Sequence, residues 1–169
     1  MGARPNAQNS SAVFGAREEG GMSTFYHSIN FKVEDAIEGL INKLKSTNLA
    51  GTTIFKQGAP EDIACDRIEI TCDAEAEVVG ATVTGNYTCD VSVAVITHPG
   101  DTTRANHVTR VAVVGDILFR DDVLAQIAAI TPAISDFTPI QWFPRRVDSS
   151  TVGGEYVTTF RGEMYCKPS

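Results

Sequence analysis

Between Glu61 and Glu77 the chain carries seven carboxylates and a single arginine, Arg67, a local charge of −6 in a molecule whose formal net charge is −7. Carboxylates at this density suggest three chemistries: ligation of a hard cation, general acid–base work, or a negative surface that meets a charged partner. Spacing argues against the first. From Arg67 to Val78 polar residues hold the odd positions and apolar or small ones the even positions, the alternation of a strand whose successive side chains point to opposite faces. Glu69, Asp73, Glu75 and Glu77 then lie in one row. Carboxylates two apart on a strand stand roughly 6.5–7 Å apart and parallel, whereas calcium needs 6–8 oxygens converging at about 2.3–2.6 Å. No D-x-D-x-D-G loop bends them inward, so no metal is expected.

Acid–base work needs a partner and a reacting group. The three histidines (His27, His98 and His107) stand far apart, and the proposed strand pairing sets only His98 beside an acid, Asp73. No nucleophile elbow, phosphate-binding glycine loop, dinucleotide fingerprint or zinc-protease motif occurs. No catalytic residue and no cofactor are expected, and the chain does not read as an enzyme. The acidic row is either a plain solvated face or a functional negative surface. Basic residues cluster elsewhere, at Arg145, Arg146 and Arg161, behind the aromatics Trp142 and Phe143. Either Trp142 is core and the arginines ordinary surface, or these five residues form a subunit interface that receives the acidic hairpin of the next copy. Head-to-tail contacts of that kind close into rings.

The elements that position these groups follow from periodicity. Val33, Ala36, Ile37, Leu40, Ile41 and Leu44 recur at helical spacing, with Asn30 as N-cap and Glu34, Asp35, Glu38, Asn42, Lys43 and Lys45 on the polar side. A short strand over Thr52–Gln57 is broken by Gly58-Ala59-Pro60. The acidic strand is expected to turn back at Gly85-Asn86 and pair with Tyr87–His98, Val78 facing Val93 and Asp73 facing His98. The facing strand then offers Thr88, Asp90, Ser92, Ala94 and Ile96 on the acidic side, with no lysine or arginine to relieve repulsion. A second helix, capped by Asp101 or Thr102, buries Ala105, Val108, Ala112, Gly115 and Phe119, widened by Val111, Val114 and Leu118. A continuation over Asp122–Ile130 stops at Thr131-Pro132. Strands Thr138–Val147 and Glu155–Cys166 close the domain around Gly153-Gly154, Val147 facing Phe160, Phe143 facing Met164, and Arg146 facing Arg161. Pro144 confines its strand to an edge or a bulge. The fold class is α+β: a mostly antiparallel sheet with a long hairpin and two main helices on one face, in the order α-β-β-β-α-β-β.

The 169 residues suit one domain over 22–169 behind a Gly-, Ala- and Ser-containing arm at 1–21, expected to be flexible. An acidic balance argues against tight nonspecific nucleic-acid binding. No apolar run approaches the roughly 18 residues that span a bilayer, the N-terminus has no apolar signal region, and Asn6 stands where lipidation wants Ser or Thr. The four cysteines show no C-x-x-C spacing, so reduced, partly buried thiols are expected.

With elements in this order, residues 22–167 resemble the tail-terminator and head–tail joining (neck) proteins of long-tailed bacteriophages. The resemblance rests on the helix Val33–Leu44, the hairpin Arg67–His98, the helix Thr102–Phe119 and the strands around Gln141-Trp142-Phe143 and Glu155–Cys166. It implies a structural virion protein assembled in the host cytoplasm, a homo-oligomeric ring, usually a hexamer, that caps the tail tube. It further implies tail-tube and head-connector proteins as neighbours, and DNA passing through without specific binding. A lumen lined by carboxylates would repel phosphate and avoid the counterion release that drives adhesion. Glu69, Asp73, Glu75 and Glu77 are the candidate lumen or interface residues. The alternatives are another phage subunit, of the tail tube or capsid decoration, or a small α+β ligand-binding or enzymatic domain.

Overall fold

The computed structural model describes residues 19–57, 63–99, 104–130 and 137–168. In chain order they form helix α1 (Glu19–Leu44), strands β1 (Thr53–Lys56), β2 (Arg67–Val79) and β3 (Thr82–Thr97), helices α2 (Arg104–Leu118) and α3 (Val123–Ile130), and strands β4 (Phe137–Val152) and β5 (Glu155–Pro168). The expected α+β class is observed. One five-stranded sheet runs β1-β2-β3-β5-β4, antiparallel throughout except for the parallel pair β1–β2. The glycine- and proline-bearing breaks at 58–60 and 131–132, the caps at 101–102 and residues 1–18 of the arm lie outside the described residues.

The alternation in β2 assigns its faces as expected. Ile68, Ile70 and Cys72 are buried, and they meet Val33, Ile37, Leu40 and Ile41 of α1 in one core with Val91, Val93, Val95, Phe160 and Met164. Removing this much apolar surface from water is the main force holding the helical layer to the sheet. Helix α1 begins well before Asn30, which lies inside it rather than capping it. Glu34 also departs from the expected polar side: it is fully buried. Its position has a structural cause. Strand β1 ends at Lys56, so the Cys72 N–H of β2 has no strand partner, and Glu34 Oε1 accepts it at 3.0 Å.

Helix α2 is turned relative to the expected stripe. His107, Val114, Ile117 and Leu118 are buried, whereas Ala105, Val108, Ala112 and Phe119 are exposed. Its sequence is apolar on most sides, so periodicity leaves the orientation open, and buried hydrogen bonds favour one. His107 Nδ1 meets Thr97 Oγ1 at 2.8 Å, and Nε2 meets Thr158 Oγ1 at 3.0 Å.

The first hairpin turns at Gly80-Ala81, not at Gly85-Asn86, and its register slides by eight residues from the expected one. Gly80 sits at φ 65 as the first residue of a two-residue turn, a position where only glycine is unstrained. Gly85, at φ 84, belongs instead to a bulge: Thr84, Gly85 and Asn86 stand opposite Glu77 alone, between the pairs Ala76–Tyr87 and Val78–Val83. Both glycines tolerate positive φ, so local chemistry could not rank them. The displacement is an even number of residues, so every side chain stays on its expected face. Val93 faces Ile70 rather than Val78, and Asp73 faces Asp90 rather than His98.

The second hairpin turns at Gly153-Gly154 as expected, and Val147 faces Phe160 and Arg146 faces Arg161. A bulge between Pro144 and Arg146 then shifts the register by one, so that Trp142 rather than Phe143 faces Met164. Strand β4 is a sheet edge, which is where a proline that cannot donate to the ladder is tolerated.

Candidate functional site: the open face of the sheet

Helices cover one face of the sheet, and the candidate residues line the other. Three rows cross it. Glu75 is followed by Thr88, Tyr165 and Gln141; Asp73 by Asp90, Glu163 and Phe143; Thr71 by Ser92, Arg161 and Arg146. The alternation that buries Ile70 and Cys72 also turns Glu69, Asp73, Glu75 and Glu77 outward. The bulge at Arg145 brings two consecutive arginines to this same side, Arg145 reaching Glu163 and Arg146 reaching Asp148 at 2.6 Å. Arg161 lies 3.7 Å from Asp148. The acidic row and the basic cluster thus share one face, at opposite margins.

The acidic row is held at both ends and open in the middle. Arg67 pairs with Glu69 at 2.7 Å and is bidentate to Glu155 at 2.8 and 3.1 Å. Glu77 closes the bulge: its Oε2 accepts from Thr84 Oγ1 and Asn86 Nδ2, both at 2.8 Å, and its Oε1 accepts from Tyr165 Oη at 2.8 Å. The Asn86, Thr84 and Tyr165 donors hold the Glu77 carboxyl below the ordinary carboxylate range, and the same bond raises the Tyr165 phenol. Between these anchors, no ion pair among the described residues reaches Asp73, Glu75 or Asp90. Asp73 and Asp90 face each other directly, a pairing of like charges that costs stability in an isolated sheet.

Asp73 and Asp90, with the hydroxyls of Thr71 and Ser92, form one wall of a shallow depression of about 450 Å³ whose other wall is Arg145, Arg146 and Arg161. Among the described residues no three His, Cys, Asp or Glu side chains converge as metal ligands. The expected Asp73–His98 couple does not form. His98 Nδ1 instead lies 3.4 Å from Glu155, and its backbone N–H donates to Asp66 at 3.0 Å. The depression presents opposite charges side by side.

Of the residues expected at a subunit interface, four are together and one is turned away. Phe143, Arg145, Arg146 and Arg161 are exposed on the open face. Trp142 lies half-buried on the helical side, its indole N–H donating to the Leu118 carbonyl at 2.8 Å and its ring covering Gly162 so closely that any Cβ there would overlap it. Asp90, Glu163 and Tyr165 entered the site without being singled out in advance. Asp90 and Glu163 carried the right charge, but Asp90 needed the corrected β2–β3 register to face Asp73 and Glu163 the β3–β5 register to join that row. Cys72, Cys89 and Cys166 are buried, more deeply than the partial burial expected, and Cys65 is half-buried.

No protein-family model and no curated protein sequence matches the chain. Among solved structures it is similar in fold to a chain of the virion of a native gene transfer agent particle. The TM-score is 0.57 at 14% identity, over 84% of this chain and 97% of that one. Among the described residues no helix is long and apolar enough to cross a membrane.

Proposed function

We propose that this protein is a structural virion subunit that joins copies of itself head to tail into a ring, a tail-terminator or head–tail joining component at the top of a phage-type tail tube. The observation that carries this is the open sheet face, acidic toward β2 and arginine-rich toward β4. Charges of opposite sign at opposite margins of one sheet are complementary between neighbours related by rotation, a heterologous contact that closes into a ring. The fold shared with nearly the whole of a gene transfer agent virion chain supports the virion setting; assembly in the host cytoplasm is part of the same proposal. Six copies, with tail-tube and head-connector proteins above and below, is the arrangement proposed. Asp73, Glu75 and Asp90, which no ion pair among the described residues reaches, supply the acidic half of the head-to-tail contact, and DNA passes through the ring without specific binding.

A second subunit role, in the tail tube itself, is separated by stacking: tube subunits polymerise into long cylinders, whereas a terminator stops at single rings. The test is the triple change Asp73→Asn, Glu75→Gln and Asp90→Asn in the full chain. Folding is expected to be unchanged, while the rings that mass photometry shows for the parent are lost or need a much higher protein concentration; rings unchanged by the triple change would contradict the contact. Loss of folding would make the acidic face structural.

A further inference from the structure

Among the described residues, an exposed apolar projection and a recess of mixed character lie at opposite margins of the chain. The tip of the β2–β3 hairpin presents Val78 and Val79, 58% and 64% exposed, beyond the helical layer. At the opposite margin a groove of about 250 Å³ lies between the α2–α3 connection and β4, with Phe119, Leu124, Trp142 and Pro144 on its apolar wall and Arg120 and Asp121 on its polar one. Each lies beside charge of opposite sign. Asp73 and Glu75 precede the tip, and Arg145 and Arg146, 62% and 72% exposed, follow Pro144. Their present pairs with Glu163 and Asp148 are solvent-exposed and worth little, so they can be exchanged.

We infer that the hairpin tip of one copy seats in the α2–α3/β4 groove of the next, with its acids on that neighbour's arginines. The faces agree. Val78 is on the helical side of its strand and Glu75 on the open side; likewise Trp142 is on the helical side and Arg146 on the open side. The spacing agrees too. Across the sheet, Trp142 stands level with Ala74 and Arg146 with Thr71, a separation of three β2 residues, the same as from Val78 to Glu75. One stagger of four residues between neighbouring subunits, about 13 Å, therefore brings Val78 to Trp142 and Glu75 to Arg146 at once. The even number keeps the faces in phase. Pro139 and Pro144 and the two bulges of β4 hinder simple extension of the strand ladder at that edge, leaving side chains to make the contact.

The inference rests on the head-to-tail arrangement proposed above, and the test separates the two. In the full chain with Cys65→Ser, one batch carries Val79→Cys and another Leu124→Cys; they are mixed, oxidised gently and run on non-reducing gels, while ring formation is followed separately by mass photometry. The inference predicts a disulfide-linked dimer in the mixture and in neither batch alone. Rings without that cross-link overturn the tip-in-groove contact and leave the ring standing; the cross-link without rings supports the contact and overturns the ring. A dimer from Val79→Cys alone means tips meet tips and also overturns it. Val78→Asp with Val79→Asp, at solvent-exposed positions, is expected to keep the melting temperature and raise the concentration needed for assembly at least tenfold; unchanged assembly contradicts the contact.

Discussion

The two long hairpins share the sheet and meet along β3 and β5, yet they secure register and edge differently. The β2–β3 hairpin carries one wide bulge that it satisfies internally through Glu77, and its outer edge is closed where β1 stops by a buried carboxylate from α1. The β4–β5 hairpin carries two bulges on a proline-bearing edge strand, and it is locked from the side by an indole packed over a glycine. The difference teaches that one hairpin holds its shape through polar groups and the other through packing. Each therefore has its own breaking point.

Packing gives the largest effect. Gly162→Ala places a methyl group inside the Trp142 ring, and overpacking of this kind costs ~3 kcal/mol. Urea denaturation is expected to show that loss, with red-shifted emission from the chain's one tryptophan in the folded baseline. In the other hairpin, Glu34→Ala leaves the Cys72 N–H buried and unpaired at a cost of about 2 kcal/mol, whereas Glu34→Gln keeps an acceptor oxygen and is expected to be neutral or stabilising at pH 7.

These two carboxylates also predict opposite pH dependences. Burial raises the Glu34 carboxyl above its ordinary 4.5, against the Cys72 N–H, the Gln57 side chain and the Lys56 ammonium, which favour the charge. Its contribution is full below the unfolded value and is lost as pH rises through the folded one. Glu77 is lowered, so its contribution is present above the unfolded value and lost as pH falls through the folded one. Comparing melting temperature against pH for Glu34→Gln and Glu77→Gln with the parent should give difference curves of opposite slope; parallel curves would mean that one assignment is wrong. Next comes Gly85→Ala, which forces a side chain into the left-handed region at the bulge and is expected to cost about 1 kcal/mol, measured by the same denaturation. The smallest expected effect is Arg146→Gln, an exposed pair worth about 0.5 kcal/mol or less to folding, although assembly should weaken.

Alternation over Arg67–Val78 was enough to read which residues of the first hairpin face the core and which form the acidic row, because period two assigns faces without reference to a partner. It could not fix the partner's position, since two glycines five residues apart both suited a turn and an even slip left both faces consistent. The second hairpin's turn was legible in Gly153-Gly154, but the bulge at Arg145 was not. One inserted residue is what set Trp142 rather than Phe143 on the helical side and gathered the arginines on the open face. Glu34 was misplaced for a related reason: helical spacing identifies a polar position, and only the end of β1 shows that a buried N–H needs it.

The central claim is that copies of this chain close head to tail through the opposite margins of the sheet. Mass photometry with negative-stain imaging of the purified full chain at micromolar concentration and low salt tests it most directly. The account predicts rings of six copies with a central hole, weakened as salt rises. A particle of single-subunit mass under those conditions would contradict it.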